Sequence, residues 1–232
     1  YAGKRDALNA MSVLRANRRL YAVAGNPEWC TRLRSPQSGE DIPRNIRQLL
    51  EFSHRYNILD GLCLDIEPQA LPEWQDARPA LLEGYVQLLT TIRSQLQSSL
   101  SLYATIVPAY ANVQITTSTL NRMMDAMRAI GQATNGVVLM AYRSHPNEAL
   151  HIASRSLSLL EDIGKPWWLG VTVGAHAGPS IGYAREGRIN FLRGTTDLAR
   201  SLVNRHGYAG LAVQDYQDLR NILRSHGHKS AF

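Results

Sequence analysis

Asp65 and Glu67 stand two residues apart at the end of an apolar run in which Leu62, Leu64 and Ile66 alternate with Cys63, Asp65 and Glu67, and Pro68 follows. In an extended strand alternate residues share a face, so the two carboxyls and the thiol project one way and the aliphatic side chains the other. Two like charges are then crowded at one strand end. Proximity of that kind disfavours a second negative charge and keeps a proton on one carboxyl, which is the state a general acid needs near neutral pH. The competing account is a pair of acids that fix a loop through hydrogen bonds or a salt bridge. Packing alone does not explain them.

Such a pair needs a scaffold that presents strand ends to solvent. In a barrel of parallel strands wrapped by helices the outer strand face is apolar, and the carboxyl ends of the strands with the loops after them carry the chemistry. The remainder of the chain has that rhythm. Helical periodicity covers residues 4–16, and a strand over 19–24 ends at the turn Gly25-Asn26-Pro27. Asp41 is placed to cap a helix over residues 43–56, with Pro43 in its first turn. After the strand at 61–66 come a helix over 80–97, a strand over 102–107, a helix over 118–130 and a strand over 136–142. Helices at 147–160, 196–206 and 219–225 then alternate with strands at 167–173 and 209–213. Alternation of this sort marks βα units and a parallel sheet. It yields six strands where a closed barrel has eight, and the chain opens on a helix. Either the sheet is open or two N-terminal strands lie outside this polypeptide.

Composition narrows the function classes. A chain of 232 residues suits one α/β domain over residues 1–232, with no linker-like or low-complexity stretch to divide it. No apolar run approaches the roughly 20 residues of a membrane span. The net charge of +6 comes almost entirely from Arg scattered along the chain without a sustained run, which argues against nucleic acid as partner. A basic mean field also draws anionic substrates or polymers toward a cleft. Cys30 and Cys63 are too few for a disulfide scaffold or a zinc site, and their places beyond one strand and inside another argue against a mutual bridge. The seven histidines lack H-E-x-x-H spacing, so neither a metal nor another cofactor is expected. The chain starts at Tyr1 with neither a signal nor a transit peptide, which implies a longer precursor. The compartment is left open, with a lean to the secreted or periplasmic side, and oligomeric state is not specified.

Asp60-Gly61-Leu62-Cys63-Leu64-Asp65-Ile66-Glu67 resembles the fourth-strand signature D-G-x-D-x-D-x-E of family 18 glycoside hydrolases, the chitinase family. Asp60, Gly61, Asp65 and Glu67 match, and Cys63 replaces the first of the alternating acids. Two strands later Met140-Ala141-Tyr142-Arg143 is similar to the family's M-x-Y-D, with Arg143 in place of the acid. The chain also resembles bacterial barrel proteins that carry L-D-I-E-P followed by L-P-x-W, here Leu71-Pro72-Glu73-Trp74. The resemblance implies a (β/α)8 barrel whose strands three to eight lie in this chain, the missing pair being one and two.

It also implies a reaction. Glu67 would protonate the glycosidic oxygen, the acetamide of the substrate would attack the anomeric carbon, and Asp65 with the Tyr142 hydroxyl would orient that acetamide. The ordinary two-carboxylate route needs a second acid at a defined separation. The end of the seventh strand supplies none, which leaves Glu28 and Asp215, and Asp favours loop and cap positions.

Trp29, Trp74, Tyr110 and Tyr142 fall near strand ends, where flat rings stack on sugar faces; core packing is the competing account. Trp167 and Trp168 open a strand at the opposite, stability face. Gln214 stands where chitinases commonly end the eighth strand in Trp. Arg143, His145, His176, Gln214 and Asp215 complete the expected carbohydrate-binding set. Three classes follow: a glycoside hydrolase on a polysaccharide or N-acetylated glycan, a catalytically silent glycan-binding barrel, and a structural protein with a vestigial cleft.

Overall fold

The computed structural model describes residues 2–16, 18–32, 42–117, 122–174, 178 and 180–224. The expected Asp41 cap and His176 lie outside the described residues. The chain forms two compact units, residues 1–105 with 113–136, and residues 106–112 with 137–232.

The first unit opens on α1 (Ala2–Arg15) and then β1 (Tyr21–Ala24), α2 (Trp29–Arg32) and α3 (Arg44–Tyr56). β2 (Gly61–Leu64) lies between β1 and β3 (Ser101–Ile106), parallel to both, with Cys63 beside Val23 on one side and Tyr103 on the other. Leu62, Leu64 and Ile66 are buried at 1, 0 and 0 % exposure while Cys63, Asp65 and Glu67 are half-buried, as the alternation predicts. Each aliphatic side chain so buried contributes about 1.5–3 kcal/mol, and a slip of one residue would exchange the two faces. Gly61 is required here, because a Cβ would come within 2.0 Å of the Ser101 carbonyl oxygen. Asp60 accepts a hydrogen bond from the Leu20 amide at 2.7 Å and from Arg15 Nη2 at 3.4 Å, which ties the start of β2 to the segment entering β1. The first two residues of the strand signature therefore serve the fold.

α4 (Trp74–Gln95) begins six residues before the expected helix, and non-helical torsions at Ala77 break it two residues ahead of Pro79. Proline has no N–H for the ladder and clashes with the preceding turn, which accounts for the break. A helix over 118–130 is not what forms. β4 (Gln114–Thr117) and β5 (Arg122–Asp125) make an antiparallel hairpin, and α5 (Ala126–Ala133) starts only at Ala126; residues 118–121 lie outside the described residues. The β-branched run Ile115-Thr116-Thr117 suits a pleated ribbon. Ile115 and Met124 face each other on it, both buried.

The second unit holds β6 (Gly136–Leu139), α6 (Pro146–Ile163), β7 (Trp167–Thr172), α7 (Gly187–Leu202), β8 (Tyr208–Gln214) and α8 (Tyr216–Arg224). β6, β7 and β8 are parallel neighbours in that order. The Met140 amide donates to the carbonyl of Ile106, which belongs to the same unit, at 2.8 Å. α7 starts nine residues before the expected helix, because Phe191, Gly194, Leu198 and Leu202 already form its buried stripe. Trp167 is fully buried with its Nε1 donating to the His206 carbonyl at 2.9 Å, in keeping with packing. No helix among the described residues is long and apolar enough to cross a membrane.

Candidate functional site

β2 ends at Leu64, but the strand-like course continues one step because the Asp65 amide donates to the Ala24 carbonyl at 2.9 Å. Gly25 makes this approach possible: a Cβ there would stand 1.6 Å from the Asp65 carbonyl oxygen. Asp65 Oδ1 accepts a hydrogen bond from Thr105 Oγ1 on β3 at 2.6 Å. The buried Tyr85 hydroxyl of α4 lies below, 3.1 Å from the Thr105 carbonyl and 3.4 Å from that of Leu64, so it bridges the ends of both strands. Neither Thr105 nor Tyr85 was foreseen. Their threonine and tyrosine types are ordinary for a strand and a helix face, and only the pairing of β2 with β3 brings them to the acids.

Glu67 departs from the strand into the left-handed region, with φ 53° and ψ 57°, at the head of the 3₁₀ turn Pro68–Ala70. Pro68 disfavours the right-handed helical conformation for the residue before it. A left-handed non-glycine residue carries strain of about 1–3 kcal/mol, a pattern that clusters at functional sites. Gln69 Nε2 donates to Glu67 Oε2 at 3.0 Å. Burial pushes the Glu67 carboxyl above its ordinary value, and the neighbouring Asp65 pushes it further in the same direction. Both influences favour the protonated acid. Cys63 is a free thiol, and burial together with Asp65 pushes it up to about 12, so at neutral pH it carries no charge.

In the second unit two expected site residues meet: the Tyr142 hydroxyl donates to Gln214 Oε1 at 2.7 Å. Gly170 leaves room for the Tyr142 ring, since a Cβ would come within 2.9 Å of Tyr142 Cε1. Arg143 turns back on its own chain, Nη1 donating to the Tyr142 carbonyl at 2.6 Å. With Asn147, Glu148, His151 and Ile152 it lines an open depression of about 490 Å³. His145 is exposed at the start of α6 and borders a second depression with Asp197 and Arg200.

Four of the expected binding residues turn out to serve the fold. Trp29, Trp74 and Tyr110 are buried at 4, 7 and 1 % exposure and offer no ring face to a sugar. Their places near strand ends are as expected, but helices and turns close over the rings. Asp215 caps α8, its Oδ1 accepting from the Asp218 amide at 2.8 Å, which is the role Asp commonly takes ahead of a helix. Glu28 is exposed next to the turn at Asn26.

Parallel strands joined by helices are the units of a (β/α) barrel, here a partial one of six strands. Among solved structures the chain is similar to a chitinase from Rhizomucor miehei, with a TM-score of 0.58 and 15% identity over 94% of this chain and 84% of that one. It is also similar to the spore cortex-lytic enzyme SleL of Bacillus cereus (TM-score 0.37, 20% identity, 55% of this chain) and to the chitinase domain of the spore coat protein CotE of Clostridium difficile (0.47, 18%, 77%). The chain spans 28% of the SleL structure and 55% of the CotE one. No protein-family model matches the chain, and no curated protein sequence does.

Proposed function

We propose that this chain is a carbohydrate-active barrel protein over residues 1–232 and hydrolyses a polysaccharide or N-acetylated glycan with Glu67 as general acid. The observation that carries the reading is the upward push on the Glu67 carboxyl from burial and from Asp65. A carboxyl biased toward its protonated form, half-buried beyond the end of a strand, has the property that donation to a glycosidic oxygen requires. Asp65, held by Thr105, accepts from the substrate's acetamide as that group attacks the anomeric carbon. The family resemblance assigns Tyr142 to the acetamide, and Arg143, His145 and Gln214, which follow strand ends, are proposed to meet the rest of the sugar. The chitinase-like fold supports carbohydrate as the partner.

A second reading is a glycan-binding barrel without turnover. Cys63 favours it, because a thiol neutral up to about 12 adds no negative charge beside Asp65 where the resembled signature has a further acid.

A glycan array followed by hydrolysis assays on wild type and Glu67→Gln tests both readings. General acid catalysis contributes about 10²–10⁴-fold, so the amide variant is expected to lose turnover by that factor while binding nearly as well. Hydrolysis unchanged in Glu67→Gln defeats the enzyme assignment. Binding without hydrolysis in the wild type establishes the second reading.

A further inference from the structure

Arg143 occupies a position where the resembled motif has an acid, and its surroundings give that reversal of charge a use. The guanidinium is half-buried, gives one hydrogen bond to the Tyr142 carbonyl, and has no carboxylate within ion-pair distance among the described residues. Glu148 lines the same depression without pairing with it. A guanidinium carries five N–H donors in a planar fork that matches a carboxylate through two parallel bonds. Most of that capacity is unspent. Asn147 and His151, exposed on the first turns of α6, add side-chain donors around the same space. Its volume of about 490 Å³ falls in the usual range of small-ligand clefts, roughly 300–1,000 Å³. The chain as a whole carries +6, which favours approach of an anionic polymer.

We propose that the Arg143 depression is a subsite for a carboxylate carried by the glycan, so that the substrate class is an acidic N-acetylated glycan rather than a neutral one. This rests on the carbohydrate reading above and specifies its substrate. The carboxylate seats on the Arg143 fork, with the sugar bearing it beside Asn147 and His151. No bond is made or broken in this step. Lysine in the same place would supply charge without the paired geometry.

The test compares two tetrasaccharides of equal length by calorimetry: chitotetraose, which is neutral, and one alternating N-acetylglucosamine with N-acetylmuramic acid, whose lactyl ether bears a carboxylate. Wild type is expected to bind the acidic probe about ten- to a hundredfold more tightly, the worth of a hydrogen-bonded charge pair. The preference should shrink in high salt. Arg143→Met should bring the acidic-to-neutral ratio close to one, and Arg143→Lys should retain part of it, with thermal melts confirming that both variants fold. Equal affinity for the two probes, or a preference that survives Arg143→Met, overturns the inference. Where chitotetraose is bound and cleaved and the acidic probe gains nothing, this subsite falls and the role of Glu67 stands. Where the acidic probe is preferred but neither is cleaved, the subsite stands and the hydrolase reading falls. Failure to bind either probe overturns both.

Discussion

Thr105 holds Asp65 through a 2.6 Å hydrogen bond from its hydroxyl to Oδ1, across the junction of two neighbouring parallel strands. Asp65 is in turn the group that, after burial, raises the Glu67 carboxyl. A side chain of β3 thus fixes the direction of the charge that biases the proposed acid, and Tyr85 braces the backbone beneath it.

Replacing Thr105 by Val keeps the shape and removes the donor. The variant is expected to lose about 1.5–3 kcal/mol of stability, the worth of a hydrogen bond to a charged group, and to lose turnover as well. Thr105→Ser should recover most of both. Urea denaturation at neutral pH with paired kinetic assays checks this, and a serine variant as impaired as the valine one would contradict it.

The Glu67 carboxyl gives stability a pH dependence of known sign. Its folded-state pKa lies above the ordinary 4.5, so the folded protein holds this proton more tightly than the unfolded chain. The associated stability is fully present below the unfolded value and is lost as pH rises through the folded value. Glu67→Gln, which never ionises, should therefore gain on wild type as the pH is raised from acid to neutral. Melting both proteins across that range tests the sign, and a variant that loses ground on wild type toward neutral pH would refute it.

Neither thiol should react readily in the native state. Cys30 is fully buried, and Cys63 is pushed to about 12, far above the pH at which thiolate chemistry is usually run. Native labelling with a disulfide reagent should be slow for both and complete once the chain is unfolded. Cys63→Asp is expected to raise turnover by restoring the acid row of the resembled signature. A variant with no gain would show that the row is not what limits the site.

Gly25→Ala should damage stability and site together. Its Cβ would meet the Asp65 carbonyl oxygen at 1.6 Å, so the two chain segments must separate. Overpacking of this kind costs about 1–3 kcal/mol. Turnover should fall with it, since the backbone displaced is that of Asp65. A calorimetric melt and a kinetic assay on the same preparation read both effects.

Local period and local charge are properties of neighbouring residues, and what depends on them was legible in the amino-acid sequence. The alternation through Leu62, Leu64 and Ile66 set the buried face of β2, and with it the shared face of Cys63, Asp65 and Glu67. The same kind of reading found the six parallel strands and the unbridged thiol of Cys63. It failed where distant segments decide. The strand Arg122–Asp125 sits in a stretch that reads as helical, and its pairing with Gln114–Thr117, which is itself held on α4 through Glu83, outweighs local preference. Trp29, Trp74 and Tyr110 were placed correctly along the chain, but whether a ring is covered depends on elements far away in sequence. Thr105 lies forty residues from Asp65, and nothing in its type or spacing marks it. The left-handed turn at Glu67 is likewise a tertiary result, since an isolated Glu-Pro pair prefers extended backbone. The acids were written in one strand, but their orientation and the state of their protons came from the strands, helix and turn folded against them.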